Sequence, residues 1–267
     1  MRQVKIAMVC AWTLALLLAG APGGAQQTGP TAAQDSATQA MAVLQRMAEF
    51  LAQAQRFSVT VDIGFDAVQD SGQKIEFGET RKIVLRRPNH LRVDTTKRDG
   101  SQSGVVFDGE NITVFHVQEN VYATVAKAGS VDETVAFFVH ALDMRLPLAE
   151  LLDSNLVQRL QQVRVADYVE SSSIAGVPCD HLALRGDEVD LQVWVAQGQQ
   201  PLPHRLVITY RHADGRPQFW AQFSDWNLAP AAPDALFTFT PPAGAVKIAA
   251  SPRQQLPSGA TATKGGQ

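Results

Sequence analysis

From Phe57 the chain alternates strictly, with Phe57, Val59, Val61, Ile63 and Phe65 on one parity and Ser58, Thr60, Asp62, Gly64 and Asp66 on the other. Successive side chains of a strand point to opposite faces, so this pattern predicts a strand with one dry and one wet face. Ile75, Phe77, Ile83 and Leu85 predict a long second strand, followed by Leu91/Val93, Val105/Phe107, Ile112/Val114 and Val121/Ala123/Val125. The turn formers Asp70-Ser71-Gly72, Asp99-Gly100 and Asp108-Gly109 separate these runs, which argues for an antiparallel meander.

The period is helical on either side of this meander. Ala40, Met41, Leu44, Met47, Ala48 and Leu51 predict an amphipathic first helix from a start near Asp35-Ser36. After the meander, Ser130 and Glu133 have capping-box spacing ahead of Val131, Val135, Phe138 and Leu142. Pro147 opens a second short helical stretch through Leu148, Leu151 and Leu152, and a third runs from about Asn155 to Gln161. Strands then resume over 163–174, 178–185, 189–196, 204–212 and 219–228. Phe237 and Phe239 alternate with Thr238 and Thr240 in a closing strand that Pro241-Pro242 stops by removing two backbone donors. The pattern gives an α+β chain of about eleven or twelve strands, antiparallel in its first half, with helices at the start and middle.

The ends change this picture. Arg2 and Lys5, an apolar run from Ile6 to Ala19 and small residues through Ala25 read as a secretory signal peptide over 1–25. No later run reaches the roughly 18 apolar residues of a membrane-spanning helix, so no transmembrane segment is expected in the mature chain. Residues 26–34 have linker composition, 249–267 form a Ser-, Pro-, Gly-, Thr- and Gln-rich tail expected to be disordered, and 35–248 is expected to be a single domain. Removing Arg2 and Lys5 with the leader takes the formal charge from −3 to −5, which excludes nucleic acid as a natural partner. Cys10 leaves with the leader, so Cys179 is the one cysteine left and no intrachain disulfide forms.

Candidate chemistry is sparse. The chain has no Gly-x-Ser-x-Gly elbow, His-Glu-x-x-His helix, phosphate loop or dinucleotide fingerprint. The histidines at 90, 116, 140, 204 and 212 lack the short spacings of a metal site, so neither metal nor cofactor is expected. Cys179 and His181 share a strand face and constitute a thiol–imidazole pair on paper. Side chains at that spacing stand roughly 6 to 7 Å apart, too far for a direct hydrogen bond unless both lean inward. A hydrolase built on them is the weakest reading, and the protein is not expected to be an enzyme. Arg81, Lys82, Arg86, Arg87, Arg92, Lys97 and Arg98 form a basic set that is either an anion-attracting rim or a wetted strand face.

Three short segments carry a resemblance. Leu236-Phe237-Thr238-Phe239-Thr240-Pro241-Pro242-Ala243-Gly244 resembles the closing strand of periplasmic lipoprotein carriers of the LolA/LolB type. Arg87-Pro88-Asn89 resembles their Arg-Pro-Asn turn. Asp108-Gly109 with Ile112-Thr113-Val114-Phe115 resembles their Asp-Gly-x-x-x-Trp-Phe hairpin, with Val114 in the place of tryptophan. The centre, with Gly176-Val177-Pro178-Cys179-Asp180-His181-Leu182, Val193-Trp194, Pro201-Leu202-Pro203 and Val207-Ile208-Thr209-Tyr210, is similar to predicted exported bacterial proteins of unassigned function that share the carrier-like fold. The resemblance implies that the strands form a curved antiparallel half-barrel of about 11 strands embracing an N-terminal helix and midchain lid helices. It also implies that Arg87 hydrogen-bonds a helical lid across the mouth of an incomplete barrel and that Leu91 lines a cavity beside it. The expected ligand-binding set is then Arg87, Leu91, Val59, Val61, Ile63, Phe65, Phe138 and Leu142. The implied function is that of a periplasmic protein holding lipid or lipoprotein acyl chains, with an envelope protein as a further partner. An envelope sensor or interaction module on the same fold is the alternative. The bland alternative for the apolar faces is a dry core. The mostly aliphatic lining and the apolar stripes of the midchain helices favour a covered cavity instead.

Overall fold

The computed structural model describes residues 32–138, 148–160 and 163–249. The expectations for the leader, for residues 26–31, for Leu142 and for the tail beyond 249 lie outside the described residues. Helix α1 (Ala32–Gln53) is followed by β1 (Arg56–Val68), β2 (Lys74–Arg86), β3 (His90–Lys97), β4 (Gln102–Phe107), β5 (Asn111–His116) and β6 (Val121–Ala126). The midchain supplies α2 (Val131–Ala136), a 3-10 turn at Ala149–Leu152 and α3 (Leu156–Arg159). Then come β7 (Val165–Ile174), β8 (Val177–Arg185), β9 (Val189–Ala196), β10 (Pro203–Tyr210), β11 (Gln218–Asn227), a 3-10 turn at Asp234–Phe237 and β12 (Val246–Lys247).

All twelve described strands lie in one open sheet, in the order β12-β6-β5-β4-β3-β2-β1-β11-β10-β9-β8-β7. This is the half-barrel that the resemblance implies, built from the meander that the alternation predicts. Two meanders meet at its centre, where β1 pairs with β2 on one side and with β11 on the other, both antiparallel. Directly opposed residues in such pairs share a face, so the register carries the dry parity of β1 across the sheet. Phe57 faces Leu85, Val59 faces Ile83, and Leu85 and Ile83 face Leu91 and Val93. On the far side, Val61, Ile63 and Phe65 face Phe223, Ala221 and Phe219.

The concave face is filled in two parts. Over β7–β9, α1 buries Ala40, Val43, Leu44, Met47, Ala48 and Leu51 against Leu182, Leu184, Val193 and Val195. The stripe recurs every three or four residues, as the sequence predicts, with Val43 more deeply buried than the expected Met41. The helix begins at Ala32, so residues 32–34 of the expected linker are helical; Ala32 and Ala33 favour this extra turn. Over β1–β5 the cover is Val131 and Val135 of α2 with Leu148, Ala149 and Leu152.

The expected closing strand is corrected. Asp234–Phe237 is a 3-10 turn, Thr238–Thr240 is irregular, and the strand that closes the sheet is Val246–Lys247, parallel to β6. Pro233, Pro241 and Pro242 leave the Phe-Thr-Phe-Thr run without the regular donors of a ladder. Its aromatic residues instead lie across the convex face. Phe237 is buried with Val106 and Ala232, while Phe239 stacks on Phe115 at 5.0 Å and leans on Tyr122 at 5.2 Å. Arg86 sits 5.0 Å over the Phe237 ring and reaches the Ala232 carbonyl, and Arg92 donates to the Leu236 carbonyl at 3.1 Å.

The rest of the convex face carries a row of flat groups. His181 stacks on Trp194 at 4.0 Å; Arg205 lies 5.8 Å from Trp194 and 5.5 Å from Trp220; Arg98 lies 5.9 Å from Trp220. Trp220 donates to Glu76 at 3.1 Å and rests directly on Gly64. A Cβ at Gly64 would stand 2.4 Å from the indole. Gly64→Ala is therefore expected to displace Trp220 and to cost about 1–3 kcal/mol, read as a lowered thermal midpoint together with a changed tryptophan emission maximum.

Candidate functional site

The end of β2 delivers Arg87 to the boundary between sheet and midchain. Its amide donates to the Gln55 carbonyl at 2.7 Å, and the Pro88 carbonyl accepts from Val131 at 2.8 Å, so the backbone is pinned to the start of α2. The guanidinium, only 9% exposed, donates to Asp132 Oδ1 at 3.3 Å and to the Leu152 carbonyl at 2.9 Å. One side chain thereby joins β2 to both helical pieces of the lid. Asp132 in turn accepts from the Ser154 amide at 3.0 Å and from the Ser154 hydroxyl. Arg87 Nε is buried without a hydrogen-bond partner among the described residues. The latch is thus under-satisfied, which limits the net stability it contributes.

Local sequence explains the lid's entry. Ser130 Oγ accepts from the Glu133 amide, and the Glu133 carboxylate accepts from the Ser130 amide at 2.7 Å, completing the expected capping box. That backbone contact holds the Glu133 carboxyl below its ordinary range. The helix begun there is short, and Phe138 follows it with its ring 6.2 Å from Phe137.

The expected ligand-binding residues converge on one cluster. Val59, Val61, Ile63 and Leu91 are buried in the concave-face core, with half-buried Phe65 and Phe138 packed against it. Arg87 borders this cluster through the lid, and Leu142 lies outside the described residues. Phe65 stacks on Phe77 at 6.1 Å, at the end of the concave face where Phe77 is 49% and Ile75 40% exposed.

The basic set does not form a rim. Arg86 pairs with Asp234, Arg87 with Asp132, Arg92 with Asp94 and Arg98 with Glu76, and their faces alternate with the strand period. Arg81, named in that set, pairs on the concave face with Glu79, which the set leaves out. Its signal was present: residues 79 and 81 occupy the same parity as Ile75, Phe77, Ile83 and Leu85, so two charges interrupt a dry face.

Cys179 and His181 are not assembled into a nucleophile. The thiol is buried and donates to the Val177 carbonyl at 3.4 Å, and burial pushes its pKa up. His181 is held by Gln192 at 3.0 Å and by the stack on Trp194. Among the described residues no group of three or more His, Cys, Asp or Glu is placed to hold a metal, and no helix is long and apolar enough to cross a membrane.

The model of a family described as predicted periplasmic protein (DUF2092) matches residues 40–250. Among solved structures, the chain is similar to the lipoprotein LppX of Mycobacterium tuberculosis, at 18% identity and a TM-score of 0.48, over 74% of this chain and 99% of that one. It is similar to LprF of Mycobacterium bovis at 13% identity and 0.48, over 74% and 96%. It is also similar to a LolA superfamily protein of Nitrosomonas europaea at 14% and 0.39, over 75% and 97%. Comparison with curated proteins gives no match.

Two outcomes follow from this geometry. Arg87→Leu should speed hydrogen exchange at the Thr134 and Ser154 amides while leaving β8 unchanged. Cys179 should resist iodoacetamide at pH 8 in the folded protein and react once the chain is unfolded in guanidinium, because its thiol is both buried and shifted away from the thiolate.

Proposed function

We propose, from the premise that this chain belongs to the DUF2092 family of predicted periplasmic proteins, that it binds an acyl chain or a similar lipid-like ligand on the concave face of its half-barrel. The observation that carries the reading is the Arg87 latch. The apolar floor of β1–β5 is dried by two short helical segments, and one arginine ties both of them to the sheet. A cover of that kind can lift as a unit, exposing Val59, Val61, Ile63 and Leu91 to a ligand that takes over the buried area.

The magnitudes allow such an exchange. Each methylene removed from water contributes about 0.8 kcal/mol, so a 16-carbon chain supplies roughly 10 kcal/mol before ordering costs. Breaking one partly exposed ion pair and its accompanying hydrogen bonds costs a few kcal/mol at most on the same scale. The ligand therefore outweighs the latch, while the latch holds the empty protein closed.

The test is native mass spectrometry of the protein purified from the periplasm, with organic extraction and displacement of a hydrophobic dye by palmitate. A co-purifying lipid, or displacement at micromolar palmitate, is the expected result. Absence of both overturns the reading. Arg87→Leu should then release palmitate several-fold faster than the unaltered protein.

A further inference from the structure

The Glu79–Arg81 pair stands where an apolar binding face should have none. Glu79 is directly opposite Ile63 and Arg81 directly opposite Val61, both fully buried residues of β1's dry face. Opposed residues share a face, so both charged side chains project onto the concave side. Their side chains are 11% and 22% exposed. Along β2 the concave parity therefore reads Ile75, Phe77, Glu79, Arg81, Ile83, Leu85: exposed apolar, then charged, then buried apolar.

Taking two charges out of water is costly, and a dry pair is often no more stabilising than aliphatic residues of the same volume. The pair is also incompletely used. The polar contacts of Arg81, from Nε at 2.7 Å and from Nη2, go to the single oxygen Oε1 of Glu79. Nη1 of Arg81 has no further partner among the described residues. Lys97, directly opposite Glu79 on β3, is half-buried and makes no ion pair among the described residues. Arg81 and Lys97 thus share one mostly buried carboxylate on the concave face, while the exposed Asp99 of the next turn also acts on Lys97. The group stands between the aliphatic floor and the exposed Phe77 end, about 20 Å along β2 from the Arg87 latch by strand rise.

We infer that Glu79, Arg81 and Lys97 form a head-group subsite for the anionic end of an amphiphile whose apolar chain lies over Val61, Val59 and Ile83. This rests on the acyl-chain reading above and names its ligand class: a single long chain carrying one negative charge, a carboxylate or a phosphate diester. Arg81 offers its Nη1 edge, Lys97 an ammonium that makes no ion pair among the described residues, and Glu79 holds the guanidinium in place from the other edge. A neutral head of the same size would gain no charge-assisted contact from either cation.

The experiment uses the full chain and compares palmitate and lysophosphatidylglycerol with uncharged monopalmitin, and with glycerol phosphate as a head without a chain. The unaltered protein should bind both anionic amphiphiles at least ten-fold more tightly than monopalmitin and should not bind glycerol phosphate measurably. Arg81→Gln with Lys97→Gln should erase the preference, read as the ratio of anionic-amphiphile to monopalmitin affinity in the same variant. Because Arg81→Gln strands Glu79, the pair Glu79→Gln with Arg81→Gln, which removes both charges and keeps a hydrogen bond, is measured alongside. It should lower the preference several-fold. An unchanged preference in both variants, equal binding of neutral and anionic amphiphiles by the unaltered protein, or binding of glycerol phosphate alone overturns the subsite while leaving the acyl-chain reading standing. Failure of every amphiphile to bind overturns that reading itself.

Discussion

A twelve-stranded sheet that neither closes nor meets a second sheet must find cover for its apolar concave face, and the helices and irregular segments packed on it answer that constraint. Burial of apolar area is the dominant favourable term in folding. An open half-barrel can obtain it only by recruiting helices and irregular chain. Helix α1 covers one half of the concave face and the midchain pieces cover the other. The convex side of β2–β6 is dried by the segment around Phe237 and Phe239, and the convex side of β8–β11 by stacked rings and guanidinium groups.

The two halves of the concave face are held by different physics. Helix α1 is long, buries a continuous stripe, and is tied to β7 by Ser36, whose hydroxyl accepts from the Tyr168 amide at 3.0 Å. The lid is short, capped at its start, and joined to the sheet by a polar contact that leaves a buried nitrogen unsatisfied. Segments with few buried apolar contacts and solvent-reachable hydrogen bonds open at the lowest cost. A long, continuously packed cover and a short, latched one thus lie side by side on one surface.

Much of this was legible from residue order. The alternation of β1, the α1 stripe and the Ser130/Glu133 box each have a local cause, and each forms as the pattern predicts. The Phe237–Thr240 run misleads because alternation says only that two aromatics share a side. Whether a strand forms depends on backbone donors, and prolines flank the run while the β6 edge takes Val246–Lys247 instead. The partners of Arg87 are not legible, because Asp132 and Leu152 lie 45 and 65 positions away and meet it only through the lid's path. Glu79 and Arg81 were legible in principle. An eye set on apolar residues skips the charged positions that keep the same parity.

The short parallel strand β12 has a consequence for how copies of this protein coexist. An unpaired strand is a template for another chain, and a curved open sheet offers two of them. Val246 and Lys247 occupy the β6 side with the protein's own backbone. At the β7 side the register slips between Tyr168 and Glu170, which bends that strand out of flat pairing. With one border shortened to a two-residue parallel strand and the other warped, neither edge offers the long flat template on which a second sheet pairs most readily.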